Sequence, residues 1–337
     1  MSVKLVEVIR SGTVESIHRG DIAVLKHDGT VLYSAGDINH VTFMRSAAKP
    51  IQAIGLLEAG IADAFGLELS EIALTLSSHS GEKTHIEALK KMMRKIGVEE
   101  SDLRCGVHDP LSRTAALEIY SNGRVPTVLH CNCSGKHLGH IAALKAYGMS
   151  IENYWEPASG IQSELRNIIS RFAGVEESEI SMGTDGCGVP VYGIALRNMA
   201  VAYANLCNEG FMEGRYLKAQ NYVVSSMTMY PEMIGGDGRL DTELMKNFGS
   251  RVVGKFGDEG VYCAGLIGKG VGIALKIEDG GNRAVGPAIL ETLVQIGAVG
   301  SDEMKVLKDF WNPPIKNHRG ETVGEVKPAF SIRAKGK

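Results

Sequence analysis

The sequence predicts a mixed α/β protein in which a mostly antiparallel sheet, built from both chain ends, is flanked by helices. Short runs rich in β-branched residues open the chain and return after about residue 250. The region between them shows helical periodicity. Strands at both ends with helices between them favour one sheet made by the two termini. No repeat or low-complexity linker interrupts the chain, so we expect one compact domain over residues 1–337, which could include a helical lobe, with a basic tail at 331–337.

Individual elements follow from local patterns. Four short strands are predicted in the first 35 residues: Leu5–Ile9, Val14–Ile17, Ile22–Lys26 and Val31–Ser34. Turns are expected between them at Ser11-Gly12, Arg19-Gly20 and Asp28-Gly29, and Asp-Gly is a strong hairpin signal. Two late strands are predicted at Gly260–Ile267 and Val271–Ile277. The predicted helices include Ile86–Ile96, Leu138–Tyr147, Gly160–Phe172, Tyr192–Asn208, Glu213–Met227 and Pro287–Ile296.

Composition narrows the class of protein. The chain has 337 residues, 44% of them hydrophobic and 22% charged, which is enough for a large buried core. A formal net charge of −3 gives no reason to expect a nucleic-acid partner. We see no signal peptide and no run long enough to cross a membrane, so we expect a cytoplasmic protein. Its six cysteines are then expected to be core residues, ligands or nucleophiles, not a disulfide framework.

A serine and a lysine three residues apart precede the apolar stretch Ile51–Ala59. Helical spacing places Ser46 and Lys49 on one face, within hydrogen-bonding reach. Pro50 lacks an N–H and fits the first turn of a helix, which places Ser46 at or beside a helix N-terminus, where developing negative charge is favoured. A lysine can act as a base when desolvation or a nearby cation lowers its pKa. The alternative is a serine N-cap followed by an ordinary surface lysine.

Two further segments add hydroxyl groups and a lysine. Ser77-Ser78-His79-Ser80-Gly81-Glu82 follows an apolar element and is typical of a site rim, although Ser80 or Thr84 could simply cap the next helix. Lys255-Phe256-Gly257 stands ahead of a late strand. Penicillin-binding proteins and β-lactamases combine S-x-x-K, a later serine motif and K-T-G in this order. Phe256 replaces the hydroxyl residue here, so this similarity indicates architecture and assigns no substrate.

Two cysteine-containing segments could belong to a functional site, and the first of them could hold a metal. In the first, Cys131-Asn132-Cys133-Ser134-Gly135-Lys136-His137 is followed by His140, and these residue types suit a soft or borderline ion. A local zinc site of Cys131, Cys133, His137 and His140 is one alternative, and histidines along a core-facing helix are another. In the second, glycines bracket Asp185 and Cys187 within 183–190, as in a tight loop that lets the backbone approach a ligand, or in a structural turn. A loop from Met227 to Gly238 could be a lid or an ordinary turn.

Six spaced motifs together resemble the asparaginase II family, the rhizobial-type L-asparaginases. The likeness extends from about Val8 to Gly297, which is most of the chain. In order, the motifs are Arg45-Ser46-x-x-Lys49-Pro50-x-Gln52, Ser77-Ser78-His79-Ser80-Gly81-Glu82, Cys133-Ser134-Gly135-Lys136-His137, Gly183-x-Asp185-Gly186-Cys187-Gly188-x-Pro190, Met227 to Gly236, and Lys255-x-Gly257-x-Glu259-Gly260.

This resemblance implies a fold akin to serine β-lactamases and some glutaminases, usually as a homodimer. It also implies hydrolysis of L-asparagine to L-aspartate and ammonia, with no organic cofactor. By position, it implies one serine–lysine pair of Ser46 and Lys49 and another of Ser78 and Lys255. Zinc in such enzymes is held by two cysteines and a lysine, which match Cys133, Lys136 and Cys187. We assign substrate binding to Arg45, His79, Gly135 and Asp185.

Amide hydrolysis needs a nucleophile, a proton acceptor and donors to the oxyanion. We expect Ser46, activated by Lys49, to attack the side-chain carboxamide, and Ser78 with Lys255 to move protons or polarise the carbonyl. A lysine that binds zinc must be neutral, so Lys136 would need a strongly lowered pKa. Two other classes of function stay open, namely a penicillin-recognising serine acyl-transferase and a non-catalytic protein that binds zinc or an amino acid.

Overall fold

The structure is a computed structural model and describes residues 1–334. Its strands are β1 (Val3–Arg10), β2 (Thr13–Lys26), β3 (Val31–Ala35), β4 (Val41–Phe43), β5 (Ser181–Thr184), β6 (Pro190–Ala195), β7 (Val252–Gly257), β8 (Val261–Leu266), β9 (Val271–Ile277), β10 (Pro314–Lys316), β11 (Thr322–Pro328) and β12 (Arg333–Ala334). Its α-helices are α1 (Lys49–Glu58), α2 (Ile61–Ala64), α3 (Leu69–Thr75), α4 (Lys83–Ile96), α5 (Arg113–Ser121), α6 (Ser134–Ala146), α7 (Gly160–Ala173), α8 (Leu196–Leu206), α9 (Gly214–Met229), α10 (Pro231–Ile234), α11 (Leu240–Phe248), α12 (Val285–Gln295), α13 (Ser301–Met304) and α14 (Lys308–Trp311).

Contacts between residues divide the chain into two compact units. We call the first the sheet unit; it comprises Met1–Ala47, Ile194–Asn208 and the chain from Arg251 onwards. We call the second the helical unit; it comprises Ala48–Gly193 and Glu209–Ser250.

The sheet unit contains a nine-stranded sheet in the order β10-β11-β1-β2-β9-β8-β7, with β3 paired to β2 and β12 to β3. Its pairs are antiparallel, and β2 lies between the N-terminal strand β1 and the late strand β9. Asp21 faces Lys276 and Ala23 faces Ala274 across the second of these pairs. The prediction of an antiparallel sheet built from both chain ends, flanked by helices, is therefore confirmed.

Strand β2 corrects one local prediction. The segments predicted as Val14–Ile17 and Ile22–Lys26 belong to a single strand of 14 residues, and the expected turn at Gly20 lies inside it. A side chain at Gly20 would collide with the backbone oxygen of Lys276. The glycine therefore allows close approach between strands, a role that glycine has within sheets as well as in turns.

Helix α8 of the sheet unit packs on β9, β2 and β8, and α12 also contacts strands of the sheet. The contact with β9 depends on Gly272, because a side chain there would collide with the Ala200 backbone oxygen of α8. The single helix predicted over Tyr192–Asn208 is wrong at its start, since Tyr192–Ala195 lies in β6. The reason is pairing with β5, in which Tyr192 faces Met182.

The helical unit is organised around α1, whose residues are all buried. This helix contacts α6, α7 and α9, and α3 packs against α6, α9 and α10. Small residues permit the close crossings: a side chain at Gly55 would lie 3.1 Å from Ile168 of α7. Because α1 begins at Lys49, these crossings place the lysine inside the packed helices.

The C-terminal segment completes the sheet. Strand β11 pairs with β1, with Val8 opposite Val326. Within the predicted basic tail, Arg333 and Ala334 pair with Ser34 and Tyr33, and 335–337 lie outside the described residues. Across 1–334, no helix has both the length and the apolar character needed to span a bilayer.

Candidate active site

Ser46 lies in the sheet unit, in a 3₁₀ turn over Arg45–Ala48 that ends where α1 begins. Pro50 stands in the first turn of α1, as the sequence predicted. Arg45 has a φ of 51°, a left-handed value that is rare for a residue other than glycine. The nucleophile proposed from sequence thus follows a strained residue, a feature that concentrates at functional sites.

Lys49 is the centre of a buried polar cluster in the helical unit, and its side chain is 1% exposed. The Nζ donates to the Ser77 backbone oxygen at 2.5 Å and to Ser78 Oγ at 3.0 Å. It also lies 3.3 Å from Cys133 Sγ. Sequence reasoning paired Lys49 with Ser46, whereas the structure joins this lysine by a hydrogen bond to the serine of the second motif.

Ser78 is buried, and its backbone N–H donates to the Ile234 oxygen at 2.9 Å. Two neighbours make similar contacts: Ser80 Oγ donates to the Gly235 oxygen at 2.6 Å, and Asp237 N–H donates to a Glu82 carboxylate oxygen at 3.2 Å. The segment from Met227 to Gly238, considered above as a lid, therefore contains α10 and is hydrogen-bonded to the Ser78–Glu82 segment. It supports the position of Ser78.

His79 is fully buried, and both ring nitrogens have partners inside the protein. Nδ1 accepts from the Gly81 N–H at 3.1 Å, so Nε2 carries the proton and donates to Ser134 Oγ at 2.9 Å. Burial, followed by the nearby His85 ring and the Lys49 charge, holds the pKa of His79 well below its usual value. This imidazole is therefore neutral at pH 7 and aligns the start of α6 with the Ser78 segment.

Lys255 lies within β7 of the sheet unit and is fully buried. Its Nζ lies 3.2 Å from the backbone oxygen of Phe256. The sequence placed Lys255-Phe256-Gly257 ahead of a late strand, but these three residues form the end of a strand themselves, paired with β8. Within the sheet unit, Gly257 reaches the turn that contains Ser46, because a side chain on it would lie 2.6 Å from the Met44 backbone oxygen.

A second polar cluster in the helical unit brings together the residues proposed as metal ligands. Lys136 Nζ lies 3.1 Å from Cys187 Sγ and 4.0 Å from an Asp185 carboxylate oxygen. The ligand atoms of Cys133, Asp185 and Cys187 lie within 4.8 Å of one another. Two sulfurs and a carboxylate at these spacings suit zinc, which takes sulfur, nitrogen and oxygen ligands.

The charges of this cluster follow from its hydrogen bonds. The Cys131 and Cys187 thiols donate to Cys133 and, together with the Lys49 and Lys136 charges, hold its pKa well below the usual value. Burial lowers the pKa of Lys136, but the neighbouring side chains of Cys133, Cys187 and Asp185 outweigh burial and raise it. Cys133 is therefore held as a thiolate and Lys136 keeps its proton, so a metal would have to displace that proton to gain Lys136 as a ligand.

Asp185 approaches the cluster because of a tight turn. Its N–H donates to the Val189 oxygen at 2.9 Å, and Gly188, with a φ of 87°, returns an N–H to the Asp185 oxygen at 2.9 Å. Sequence reasoning assigned Asp185 to substrate binding and missed it as a candidate metal ligand. The signal was the Asp-x-Cys spacing, which places two ligand types on the same loop.

The alternative zinc set with His137 and His140 is not assembled among residues 1–334, where these rings are absent from the convergent ligand group. His137 Nδ1 bonds the Tyr154 hydroxyl at 2.7 Å, and His140 Nδ1 accepts from Gln162 at 3.3 Å. Burial lowers the pKa of His137 to about 3. The interpretation as histidines along a core-facing helix fits these contacts.

Gly135 is the second residue of α6 and is buried against α3. A side chain there would collide with the Leu74 backbone oxygen. The glycine is therefore required by helix packing, whatever part its backbone takes in substrate binding.

Among known protein families, the family described as L-asparaginase II matches residues 6–328, nearly the whole chain. A comparison with curated protein sequences gives no significant match.

Several solved structures resemble the chain at low identity. A β-lactamase from Mycobacterium bovis is 14% identical, with a TM-score of 0.44 over 83% of this chain and 95% of that one. A Bacillus glutaminase is 15% identical, with a TM-score of 0.37 over 83% and 91%. The native form of a protein named Mglu is 16% identical, with a TM-score of 0.38 over 83% of this chain and only 65% of its own length. Similarity at this level supports no conclusion about catalysis in this chain.

Proposed function

The chain belongs to the L-asparaginase II family and is a hydrolytic amidase, and from that membership we propose that it hydrolyses L-asparagine to L-aspartate and ammonia by serine–lysine catalysis. The reacting group would be the side-chain carboxamide of the substrate. A buried lysine at hydrogen-bonding distance from a serine is the observation that carries the proposal.

That observation is the 3.0 Å separation of Lys49 Nζ and Ser78 Oγ, together with the burial of both side chains. A serine hydroxyl is a weak nucleophile until a neighbouring base accepts its proton. As a neutral amine, Lys49 can accept a proton across this distance, and as an ammonium it can return the proton to a leaving group. The same side chain can therefore serve both halves of an acyl-transfer reaction.

The proposed reaction has two steps. In the first, Ser46, the nucleophile that we take from the family resemblance, attacks the carboxamide carbon. Lys49, the base that the resemblance pairs with it, accepts the hydroxyl proton, and the amide nitrogen leaves as ammonia after taking up a proton. In the second, water attacks the resulting ester, and the serine is released with L-aspartate. Ser78 and Lys255 would move protons in these steps, as the resemblance to the family implies.

We also propose that zinc binds to the second cluster of the helical unit. Cys133, Cys187 and Lys136 would hold the ion, with Asp185 beside them. A bound zinc would supply a Lewis acid that polarises or orients an oxygen ligand. The Cys133 thiolate is stabilised by two neighbouring lysines, Lys49 and Lys136.

The test is coupled ammonia release from L-asparagine, L-glutamine and buffer alone. We expect release from L-asparagine, and we expect Ser46→Ala, Lys49→Ala and Ser78→Ala each to lower kcat by about a thousandfold or more. Ser101→Ala, a change at an exposed serine, is the matched control and should retain full activity. Peptide mapping after acid quenching identifies which serine carries the aspartyl ester.

Three results would contradict this function. Full activity in soluble Ser46→Ala and Ser78→Ala proteins would exclude both serines as nucleophiles. Turnover of nitrocefin without ammonia release would favour a penicillin-recognising enzyme, and binding of asparagine or zinc without turnover between about pH 6 and 10 would favour a binding protein.

We also propose that the protein is a homodimer, as the resemblance to the family implies. Light scattering coupled to size exclusion measures its mass directly. A mass equal to one 36.2 kDa chain across micromolar concentrations would refute the dimer.

A further inference from the structure

Two residues with left-handed backbone angles lie on opposite sides of one contact in the sheet unit. Arg45 has a φ of 51° and immediately precedes Ser46, and Glu259 has a φ of 62° and lies in the turn between β7 and β8. Neither is glycine, and such conformations persist only where the surroundings hold them. The contacts between these two segments therefore show what keeps the Ser46 turn in place.

The closest contact is between backbones. The Ala47 N–H closes the turn on the Met44 oxygen at 3.1 Å. Gly257, the last residue of β7, lies against this turn so closely that a side chain on it would be 2.6 Å from the Met44 oxygen and 3.3 Å from the Ala47 nitrogen. From α8, the Tyr203 hydroxyl donates to the Ala47 oxygen at 2.8 Å. The Ser46 turn is therefore held from two directions.

An ion pair adds a third contact. An Asp258 carboxylate oxygen lies 3.5 Å from Arg45 Nη2. Asp258 follows Gly257 directly, so the residue that bears the charge is attached to the residue that makes the backbone contact. The pair fixes the side chain of the strained residue that comes immediately before Ser46.

The β7–β8 turn is itself anchored to the sheet. Lys276 of β9 is buried, and its Nζ donates to the Glu259 oxygen at 2.6 Å and to the Ile277 oxygen at 2.7 Å. The Ile277 N–H donates to the Gly260 oxygen at 2.8 Å. These bonds make the turn a fixed surface against which the Ser46 turn is packed.

We propose that Gly257–Gly260 form a rigid seat that sets the position of Ser46, with Gly257 and Asp258 as positioning residues. The proposal rests on the role of Ser46 as nucleophile in the proposed function. Gly257 sets the distance between the turn and β7, and Asp258 holds Arg45 in its left-handed conformation. Displacement of the reacting oxygen by about 1 Å is sufficient to lower a rate on the order of a hundredfold.

The experiment compares Asp258→Asn, which removes the charge and keeps the shape, with Gly257→Ala. Asp28→Asn, in the β2–β3 turn, and Gly160→Ala, where a side chain meets only the Met149 methyl at 3.7 Å, are the matched controls. Four quantities are measured in full-length protein: the rate of Ser46 labelling by a fluorophosphonate, kcat and KM for L-asparagine, and the rate of amide hydrogen exchange in the peptide spanning Met44–Lys49.

We expect both test variants to label Ser46 and turn over substrate at least about tenfold more slowly than wild type, with KM changed less than about twofold. Exchange in the Met44–Lys49 peptide should become faster, and both controls should match wild type. Because Asp258 is exposed, its variant tests the proposal even if Gly257→Ala does not fold.

If Asp258→Asn and folded Gly257→Ala match wild type in labelling rate, kcat and hydrogen exchange, the proposal that Gly257–Gly260 position Ser46 is wrong. A lower kcat with unchanged exchange would also overturn it, because Asp258 would then act on the reaction directly. If wild-type protein neither hydrolyses L-asparagine nor labels at Ser46, the proposed function fails. The exchange rates still decide whether Gly257 and Asp258 hold the turn.

Discussion

At the scale of single residues, Lys49 connects the two clusters of the helical unit. Its Nζ bonds Ser78 Oγ at 3.0 Å and lies 3.3 Å from Cys133 Sγ, a proposed metal ligand. A change at Cys133 therefore removes a ligand and also a contact of the proposed base. Cys187 Sγ lies 3.1 Å from Lys136 Nζ. The two cysteines are thus expected to differ in their effects on catalysis.

The residue-scale prediction concerns metal content. Purified protein should contain close to one zinc per chain, and the double variant Cys133→Ala, Cys187→Ala should contain almost none, because both sulfur ligands are lost. Elemental analysis by mass spectrometry measures the ratio. Cys207→Ala, a change at a buried cysteine outside this cluster, is the control and should keep its zinc. Equal zinc in the double variant and the control would show that the metal binds elsewhere.

At the scale of elements, glycines set how closely helices and strands approach. Gly272 of β9 lies under α8, where a side chain would collide with the Ala200 backbone oxygen. At Gly265 of β8, an added Cβ atom would lie 2.5 Å from Cys207 Sγ. A packed interior cannot take up an added methyl group without moving backbone or forcing side chains from their rotamers. Because Tyr203 of α8 also bonds Ala47, the position of α8 bears on the Ser46 turn.

We therefore expect Gly272→Ala to lower the free energy of unfolding by about 1–3 kcal/mol, the usual effect of overpacking. Urea denaturation followed by circular dichroism gives this quantity. Gly160→Ala introduces the same methyl group where only the Met149 methyl is near, and it should leave stability unchanged or slightly raised. Equal stability of the two variants would mean that α8 moves away from β9 without cost.

At the scale of the whole molecule, several histidines are buried as neutral rings in the helical unit. Burial is the largest cause that lowers the pKa of His79, His85 and His140. In the unfolded chain a histidine has a pKa of about 6.5. Below that pH the unfolded state binds protons that the folded state cannot, so acid favours unfolding.

The free energy of unfolding should therefore fall as pH decreases from about 7 towards 4, by up to ~1.4 kcal/mol per pH unit for each such histidine. Urea titrations at several pH values measure the slope. His140→Gln should remove the contribution of one ring from the slope, although it can also lower stability at every pH. His27→Gln, a change at an exposed residue, should leave the slope as in wild type. A wild-type slope near zero between pH 7 and 5 would contradict this prediction.

The sequence by itself determined what depends on neighbours along the chain. The dense run of apolar residues in Val271–Ile277 gives β9 with its bounds as predicted, and the periodicity of Gly160–Phe172 gives α7 to within one residue. Pro50 places the start of α1, because its ring fits only the first helical turn. Residue types in six motifs were enough to indicate the family. Each of these features is encoded within a few consecutive residues, where covalent geometry and side-chain spacing decide the outcome.

Only the tertiary structure decided which of these residues meet. Lys49 bonds Ser78 across 29 positions of sequence and Cys133 across 84, and no local pattern specifies either contact. Asp185 lies beside Cys133, and the Ser46 turn lies against Gly257, because helices and strands pack only where side chains leave room. Such contacts depend on the volumes and burial of many residues at once. A single sequence therefore identifies the reactive groups, while their partners emerge from packing.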